Sequence, residues 1–353
     1  MALTTVNPAL LDTQAQYTGF KNRLINGNMT IDQRNAGASV SNIAGSIYTL
    51  DRWKVEGSQA SKFTVQQNAG SVTPPAGYSS YLGVTSSSAY TVGATDYFIV
   101  YQNIEANNIV DFGEGTASAI TVTASFWVRS SIAGTFGGVF YAPPGNPSYP
   151  FTYTINAINT WEQKTITFPG VTYGTWNSGI SNGGSFVFSM GAGTSVAGPA
   201  GAWVNTLYRG ATGQTNVVAT NGATWYVTGV QLEKGSTATA FDYRPYGAEL
   251  ALCQRYFEIG YFDGVGAYIS AAAASIYNLA TFSVSKRSSS LTLVGSTGTV
   301  YSSATGTWGT QASSGAVTLR AVSISGNSNN GFNVLLSTSD PRVTGNWWIS
   351  AEL

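Results

Sequence analysis

The chain lacks histidine altogether, has one cysteine in 353 residues, and is only 9% Asp, Glu, Lys and Arg, where ordinary soluble domains carry about 25%. Without histidine there is no usual general base, no commonest metal ligand, and no Ser-His-Asp or Cys-His arrangement. A lone Cys253 excludes an internal disulfide and a cysteine-built metal site. In Leu252-Cys253-Gln254 it reads as a small buried apolar residue. Sixteen basic residues balance sixteen acidic ones, whereas nucleic acid demands a basic footprint. The nearest basic cluster, Lys286-Arg287, is too short to supply one. No run approaches the ~18 apolar residues of a membrane helix. Met1-Ala2-Leu3-Thr4-Thr5-Val6 has neither the charged nor the apolar region of a signal peptide. The expectation is a non-enzyme made in a cytoplasm, with no nucleic-acid partner and no membrane insertion.

What is abundant points to sheets. Gly numbers 41, and aromatics reach 13%, with 9 Trp and 20 Tyr. Turn-formers mixed with β-branched and aromatic residues are the composition of a many-stranded protein. Between Ala119 and Arg129, Ile120, Val122, Ala124, Phe126 and Val128 alternate with Thr121, Thr123, Ser125 and Trp127. Period two over that length is a strand with one face in a core. Lys164–Phe168, Ser185–Ser189 and Thr224–Leu232 repeat the pattern, the last with Trp225, Val227 and either Val230 or Leu232 inward; Tyr97–Tyr101 reads as a buried strand.

These signals predict an all-β chain: an N-terminal jelly-roll β-sandwich, one short connecting helix and a smaller C-terminal β-sandwich. Residues 1–20 read as a docking arm that orders against a neighbour, and 21–246 as the jelly-roll domain. Ala248, Leu252 and Tyr256 at helical spacing place the helix at 247–258. The second sandwich takes 259–353, with strands expected at Ala280–Val284, Leu291–Val294, Ala316–Ile324, Phe332–Leu336 and Trp347–Leu353.

Catalytic-looking fragments are few. Gly191-Ala192-Gly193 lacks the context of a dinucleotide fold, and Asp111-Phe112-Gly113 reads as a turn. A glycan-cleaving enzyme needs paired carboxylates; Asp96, Glu105, Asp111 and Glu114 are the ones near each other in sequence. The aromatic loops are more informative. Phe140 to Pro150 packs four prolines and two tyrosines into a segment unsuited to a central strand. Tyr141, Tyr149, Tyr173, Trp176, Trp203 and Tyr208 are the candidate glycan-binding residues, because sugar C–H faces stack on rings while neighbouring amides take hydroxyls. Subunit contacts and plain local packing account for the same residues.

Three stretches together resemble a known family. They are Asn22-Arg23-Leu24-Ile25-Asn26-Gly27-Asn28-Met29-Thr30-Ile31-Asp32-Gln33-Arg34 with Asp51-Arg52-Trp53, then Gly229 through Gly247 (reading GVQLEKGSTATAFDYRPYG) followed by Glu249 to Tyr256, and finally Trp348 to Leu353. The ordered set is similar to phage and prophage tail-fibre or minor tail proteins, whose first domain looks like a carbohydrate-binding-module jelly roll. The resemblance implies a virion location and a homotrimeric fibre or spike. Such a fibre binds other virion proteins through its arm and host surface polysaccharide by multivalent contact. A purely architectural head-fibre, decoration or adaptor role is the alternative, and a glycan depolymerase a minor one. Such jelly rolls often hold a structural calcium through an acidic residue on the last strand. Here Trp225 to Val230 carries no carboxylate, Asp242 is the nearest candidate, and no cofactor is otherwise expected. Phe241 and Tyr243 are expected to pack along the sandwich edge, and Glu233 to pair with Arg244.

Overall fold

A computed structural model describes residues 20–41, 43–143, 146–265, 275–287, 292–301, 308–309, 331–337 and 342–352. The expected arm at 1–20 falls almost entirely outside these residues, as does the expected strand at Ala316–Ile324. The chain divides into two compact units, the first ending at Pro245 and the second spanning Tyr246–Glu352.

In the first unit the strands are β1 (Gly45–Tyr48), β2 (Lys54–Gly57), β3 (Phe63–Gln67), β4 (Leu82–Ser86), β5 (Tyr97–Glu105) and β6 (Val122–Ser130). They continue as β7 (Gly134–Tyr141), β8 (Ser148–Ile155), β9 (Glu162–Phe168), β10 (Asn182–Ala192), β11 (Ala197–Gly198), β12 (Gly210–Ala211) and β13 (Thr224–Lys234). Two sheets form the sandwich, one ordered β1-β2-β5-β10-β7-β8 and the other β3-β4-β13-β6-β9. Period-two patterning decides what each buries. From β6, Val122, Ala124, Phe126 and Val128 enter the core; β5 sends in Phe98, Val100 and Ile104, and β10 sends in Phe186, Phe188 and Met190. Trp53 and Trp225, both fully buried, complete it. Each contributes an aromatic surface whose removal costs about 3–5 kcal/mol.

β13 explains an ambiguity in its own sequence. Its inward residues are Trp225 and Val227 and then, one residue out of phase, Val230 and Leu232. The register with β6 slips between Thr228 and Gln231. Gly229 sits there at φ +61°, where an added Cβ would lie 2.6 Å from the Tyr78 ring. A bulge on glycine thus switches the phase of the strand and keeps both halves in the core.

The segment Phe140–Pro150 is a hairpin, not a free loop: Phe140 and Tyr141 end β7, an interior strand, and Ser148–Pro150 open β8. Pro150 is tolerated because β8 is the sheet edge.

Residues of the stretches 22–34, 51–53 and 229–245 form a clasp joining the start of this unit to its end. Asn22 donates from Nδ2 to the Val230 carbonyl and accepts at Oδ1 from the N–H groups of Leu24 and Leu232 (3.0–3.1 Å). Gly27 lies so close to the Val230 carbonyl that a Cβ would come within 2.1 Å of its oxygen. Trp53 donates its indole N–H to the Asn26 carbonyl. Phe241 and Tyr243 pack with Tyr78 as an aromatic triplet, centroids 4.9–5.7 Å apart. The expected Glu233–Arg244 pair is replaced by better partners. Glu233 accepts from Gln231 and from both the N–H and hydroxyl of Thr239. The Arg244 guanidinium donates to the Asn22 and Leu24 carbonyls and stands 3.7 Å from Asp242.

The second unit opens with α1 (Tyr246–Gln254), followed by β14 (Phe257–Val265), β15 (Ser275–Thr281), β16 (Thr292–Tyr301), β17 (Trp308–Gly309), β18 (Gly331–Ser337) and β19 (Arg342–Ser350). Its sheets are ordered β14-β19-β16-β17 and β15-β18. The helix stops four residues short of Glu258, because Phe257 and Glu258 pair with Ser350 and Ile349 in a ladder. Cys253 and Tyr256 are fully buried, and Cys253 forms no disulfide. The expected strand at Ala280–Val284 ends at Thr281. Beyond it the chain turns so that Ser283 donates its N–H, and Lys286 its ammonium, to the buried Glu258 carboxylate. Burial pulls the Lys286 ammonium below its ordinary proton affinity, while Glu258 opposes that pull. No helix among the described residues is long and apolar enough to cross a membrane, which says nothing of β-barrels.

Candidate functional site

The outward face of the six-stranded sheet carries a group of tyrosines interleaved with charge. It arises from the same alternation that builds the core. In β5, Phe98 and Val100 point inward, so Tyr97, Ile99 and Tyr101 point out; in β2, Val55 is inward and Lys54 and Glu56 flank it outside. The register pairs Lys54 with Tyr101 and Glu56 with Ile99. Tyr97 donates its phenol to Glu56 Oε1 at 2.7 Å, and Tyr101 donates to Oε2 at 3.2 Å. Tyr101 and Ser46 share a further hydroxyl contact at 3.0 Å. Hydrogen bonds to a charged acceptor are about twice as strong as neutral ones, so both rings are held in fixed orientation. Burial and, second, the Glu56 contact raise the Tyr97 phenol above its ordinary range. Burial does the same to Tyr101. The Lys54 ammonium lies 4.9 Å from the Tyr48 ring centroid and 5.5 Å from that of Tyr101.

Across the sheet, Tyr141 packs with Ile99, Tyr101, Val139 and Val187, and Leu207 and Tyr208 lie against them. Arg209 follows, its guanidinium 5.1 Å from the Tyr97 ring centroid and 5.7 Å from that of Tyr141.

The six sequence-selected aromatics therefore separate. Tyr141 and Tyr208 belong to the sheet face. Tyr149, Trp176 and Trp203 gather with Phe140 and Phe168 as an extension of the core, with ring centroids 5.2–6.2 Å apart. Trp203 donates its indole N–H to the Pro169 carbonyl at 2.6 Å. Tyr173 is 44% exposed and stands apart from both groups. Tyr48, Lys54, Glu56, Tyr97, Tyr101 and Arg209 were not selected from sequence. The available signal was parity: Tyr97 and Tyr101 share a strand face, as do Lys54 and Glu56.

The four acidic residues near each other in sequence have separate surroundings. Asp96 accepts from the Tyr90 phenol, Ser58, Gln59 and the Gly93 N–H, and the Tyr90 bond above all holds its carboxyl below the usual range. Asp111 pairs with Arg23 at 2.9 Å and Lys234 at 3.5 Å. Glu105 is buried. Glu114 accepts the Val171 N–H at 2.7 Å through Oε2, while Oε1 is buried without a hydrogen-bond partner. Desolvation pushes its carboxyl up to about 7.

Asp242 does not fit a calcium site. Its Oδ2 takes the Asn22 N–H at 3.2 Å and faces the Arg244 guanidinium, a fixed positive charge that opposes a cation. Among the described residues no three Asp, Glu, Cys or His side chains converge as a ligand set.

No family model and no curated protein matches the chain. Among solved structures, it is similar to TmCBM61 in complex with β-1,4-galactotriose at 11% identity and a TM-score of 0.31, over 61% of this chain and 99% of that one. A family 11 carbohydrate-binding module from Clostridium thermocellum, in complex with a mixed-linked tetrasaccharide, aligns at 13% identity and a TM-score of 0.28, over 55% and 97%. The enzymatically active domain of tailspike protein 4 from bacteriophage CBA120 aligns at 12% identity and a TM-score of 0.30, over 56% of this chain but only 21% of its own length. Likeness at this level decides nothing further; the sandwich stands on its own sheet order.

Proposed function

We propose that the protein binds glycan on the outward face of the six-stranded sheet, and that it does so as a fibre or spike of a tailed phage. The carrying observation is the Tyr97–Glu56–Tyr101 unit with Lys54, Tyr48 and Arg209 beside it. Tyr101 and Tyr141 are buried and form the floor of the face, while the partly exposed rings of Tyr48, Tyr97 and Tyr208 offer π surface for sugar C–H groups and Lys54 and Arg209 beside them take hydroxyls. Holding those rings in place before the ligand arrives removes part of the entropy cost of binding. The virion setting rests on the ordered signatures at 22–34, 51–53 and 229–256. Within the first unit, residues of these stretches form the clasp. A homotrimer presenting three faces would turn weak single contacts into firm attachment.

Binding rather than cleavage is favoured because two of the four carboxylates near each other in sequence are committed elsewhere, Asp111 to two cations and Asp96 to four donors, and Glu114 is a buried acid. The test is affinity electrophoresis of the full chain through gels containing a panel of bacterial-envelope polysaccharides. Retardation by at least one polymer, without release of reducing ends, is expected. Unretarded migration through every polymer would leave the architectural role as the better reading.

A further inference from the structure

The sheet face is not electrostatically even. Its carboxylate is fully engaged: both Glu56 oxygens accept phenol O–H groups. Arg209 is not. Its only side-chain polar contact among the described residues is a 3.5 Å approach from Nη1 to the Tyr141 hydroxyl, at the outer limit of a hydrogen bond. No carboxylate of those residues stands at salt-bridge distance from it. A guanidinium presents five N–H donors in a planar fork, so nearly all of them are left over.

The group is nevertheless positioned. The Arg209 N–H donates to the Val196 carbonyl at 2.7 Å. The next two residues form β12, which pairs with β11. Gln214 ties this ribbon to the sheet by accepting the Ala211 N–H and donating to Ser189. The rings of Tyr97 and Tyr141 flank the guanidinium, an arrangement that stabilises a cation without neutralising it. An arginine held over two rings with most of its fork unused is suited to bidentate contact with a planar anion.

We propose that the ligand is an acidic glycan, and that Arg209 takes the carboxylate of a uronic-acid residue while Tyr97 contacts the same or the adjacent ring. This rests on the glycan-binding reading above and adds the charge of the sugar to it. A neutral sugar offers the guanidinium only single hydroxyl contacts, without the paired, charge-assisted bonds of a carboxylate. Glu56 would repel a carboxylate placed over Tyr101, so the acid group belongs at the Tyr97–Tyr141 end of the face.

The experiment compares native polygalacturonate, alginate and hyaluronan with their carboxyl-reduced forms, alongside neutral polymers, using the full chain in affinity electrophoresis. At least one native acidic polymer should bind about tenfold or more tightly than its reduced form, with the difference shrinking as salt is raised. Arg209→Gln should abolish that preference, and Arg209→Lys should restore only part of it, because a point charge lacks the fork. Thermal melting matching the parent shows that each variant is folded. Equal binding of native and reduced forms, or an unchanged preference in Arg209→Gln, overturns this inference and leaves glycan binding standing. Retention by neutral polymers alone does the same. Retention by none of the polymers overturns both.

Discussion

Glu114→Gln separates a buried acid from everything else on this chain. Glu114 lies in the turn before β6, where Oε2 accepts the Val171 N–H and Oε1 has no partner. Removing the carboxyl from water is the larger influence on its proton affinity and raises it; the Val171 bond opposes and is smaller. The folded value is about 7, against 4.5 for the ordinary group. Between those two pH values the folded chain keeps a proton that the unfolded chain has released. Stability must therefore fall as pH rises through the window, with the full cost present above about 7. At about 1.4 kcal/mol for each tenfold change in proton affinity, the cost is about 2–3 kcal/mol once partial solvent screening is allowed for. Glutamine stays neutral at every pH and keeps an acceptor for Val171. The variant should match the parent near pH 5 and melt about 5–10 °C higher at pH 8, at about 2–4 °C per kcal/mol for a unit of this size. Scanning calorimetry of the full chain at both pH values, following the transition of the first unit, measures it. A parent and a variant that lose stability in parallel between pH 5 and 8 would refute the assignment of the buried carboxyl.

Two further substitutions probe the frame that holds the site. Gly229→Ala places a methyl against the Tyr78 ring at a positive φ and should cost at least about 2 kcal/mol in urea unfolding; a change under about 0.5 kcal/mol would contradict the bulge account of β13. Asn22→Ala strands the Val230 carbonyl and the N–H groups of Leu24 and Leu232. A loss of about 3 kcal/mol is expected in the same assay, and a neutral result would mean the clasp is not a single hydrogen-bonded unit.

Much of the fold was legible where one residue decides its own direction. Alternation from Val122 to Val128 located β6 and its core-facing side, because side chains of one parity point to one face of the sheet. Phase was not legible in β13, since a glycine that looks like any other at Gly229 carries the bulge. The helix end was misplaced for a related reason: Tyr256 continues the helical spacing, yet Phe257 is captured by the Ser350 ladder. The candidate site was harder to read. Tyr97 and Tyr101 lie within a stretch whose other residues are so apolar that the whole strand looked buried. Arg209 is 112 residues from Tyr97 in the sequence, and the β11–β12 ribbon, tied to the sheet through Gln214 and Ser189, brings it to the sheet face. The proline-rich hairpin attracted attention for its aromatics, of which Tyr149 serves the core and Tyr141 the face.

The central claim is that the tyrosine face of the six-stranded sheet is where glycan binds. Titration calorimetry of the full chain with the polysaccharide that retards it most, using the parent, Tyr97→Ala and Tyr173→Ala, tests it directly. Tyr97→Ala should weaken binding about tenfold by removing a stacking ring, while Tyr173→Ala, exposed and away from the face, should bind as the parent does. Unchanged affinity in Tyr97→Ala, or its loss in Tyr173→Ala, would move the site off the sheet face and contradict the claim.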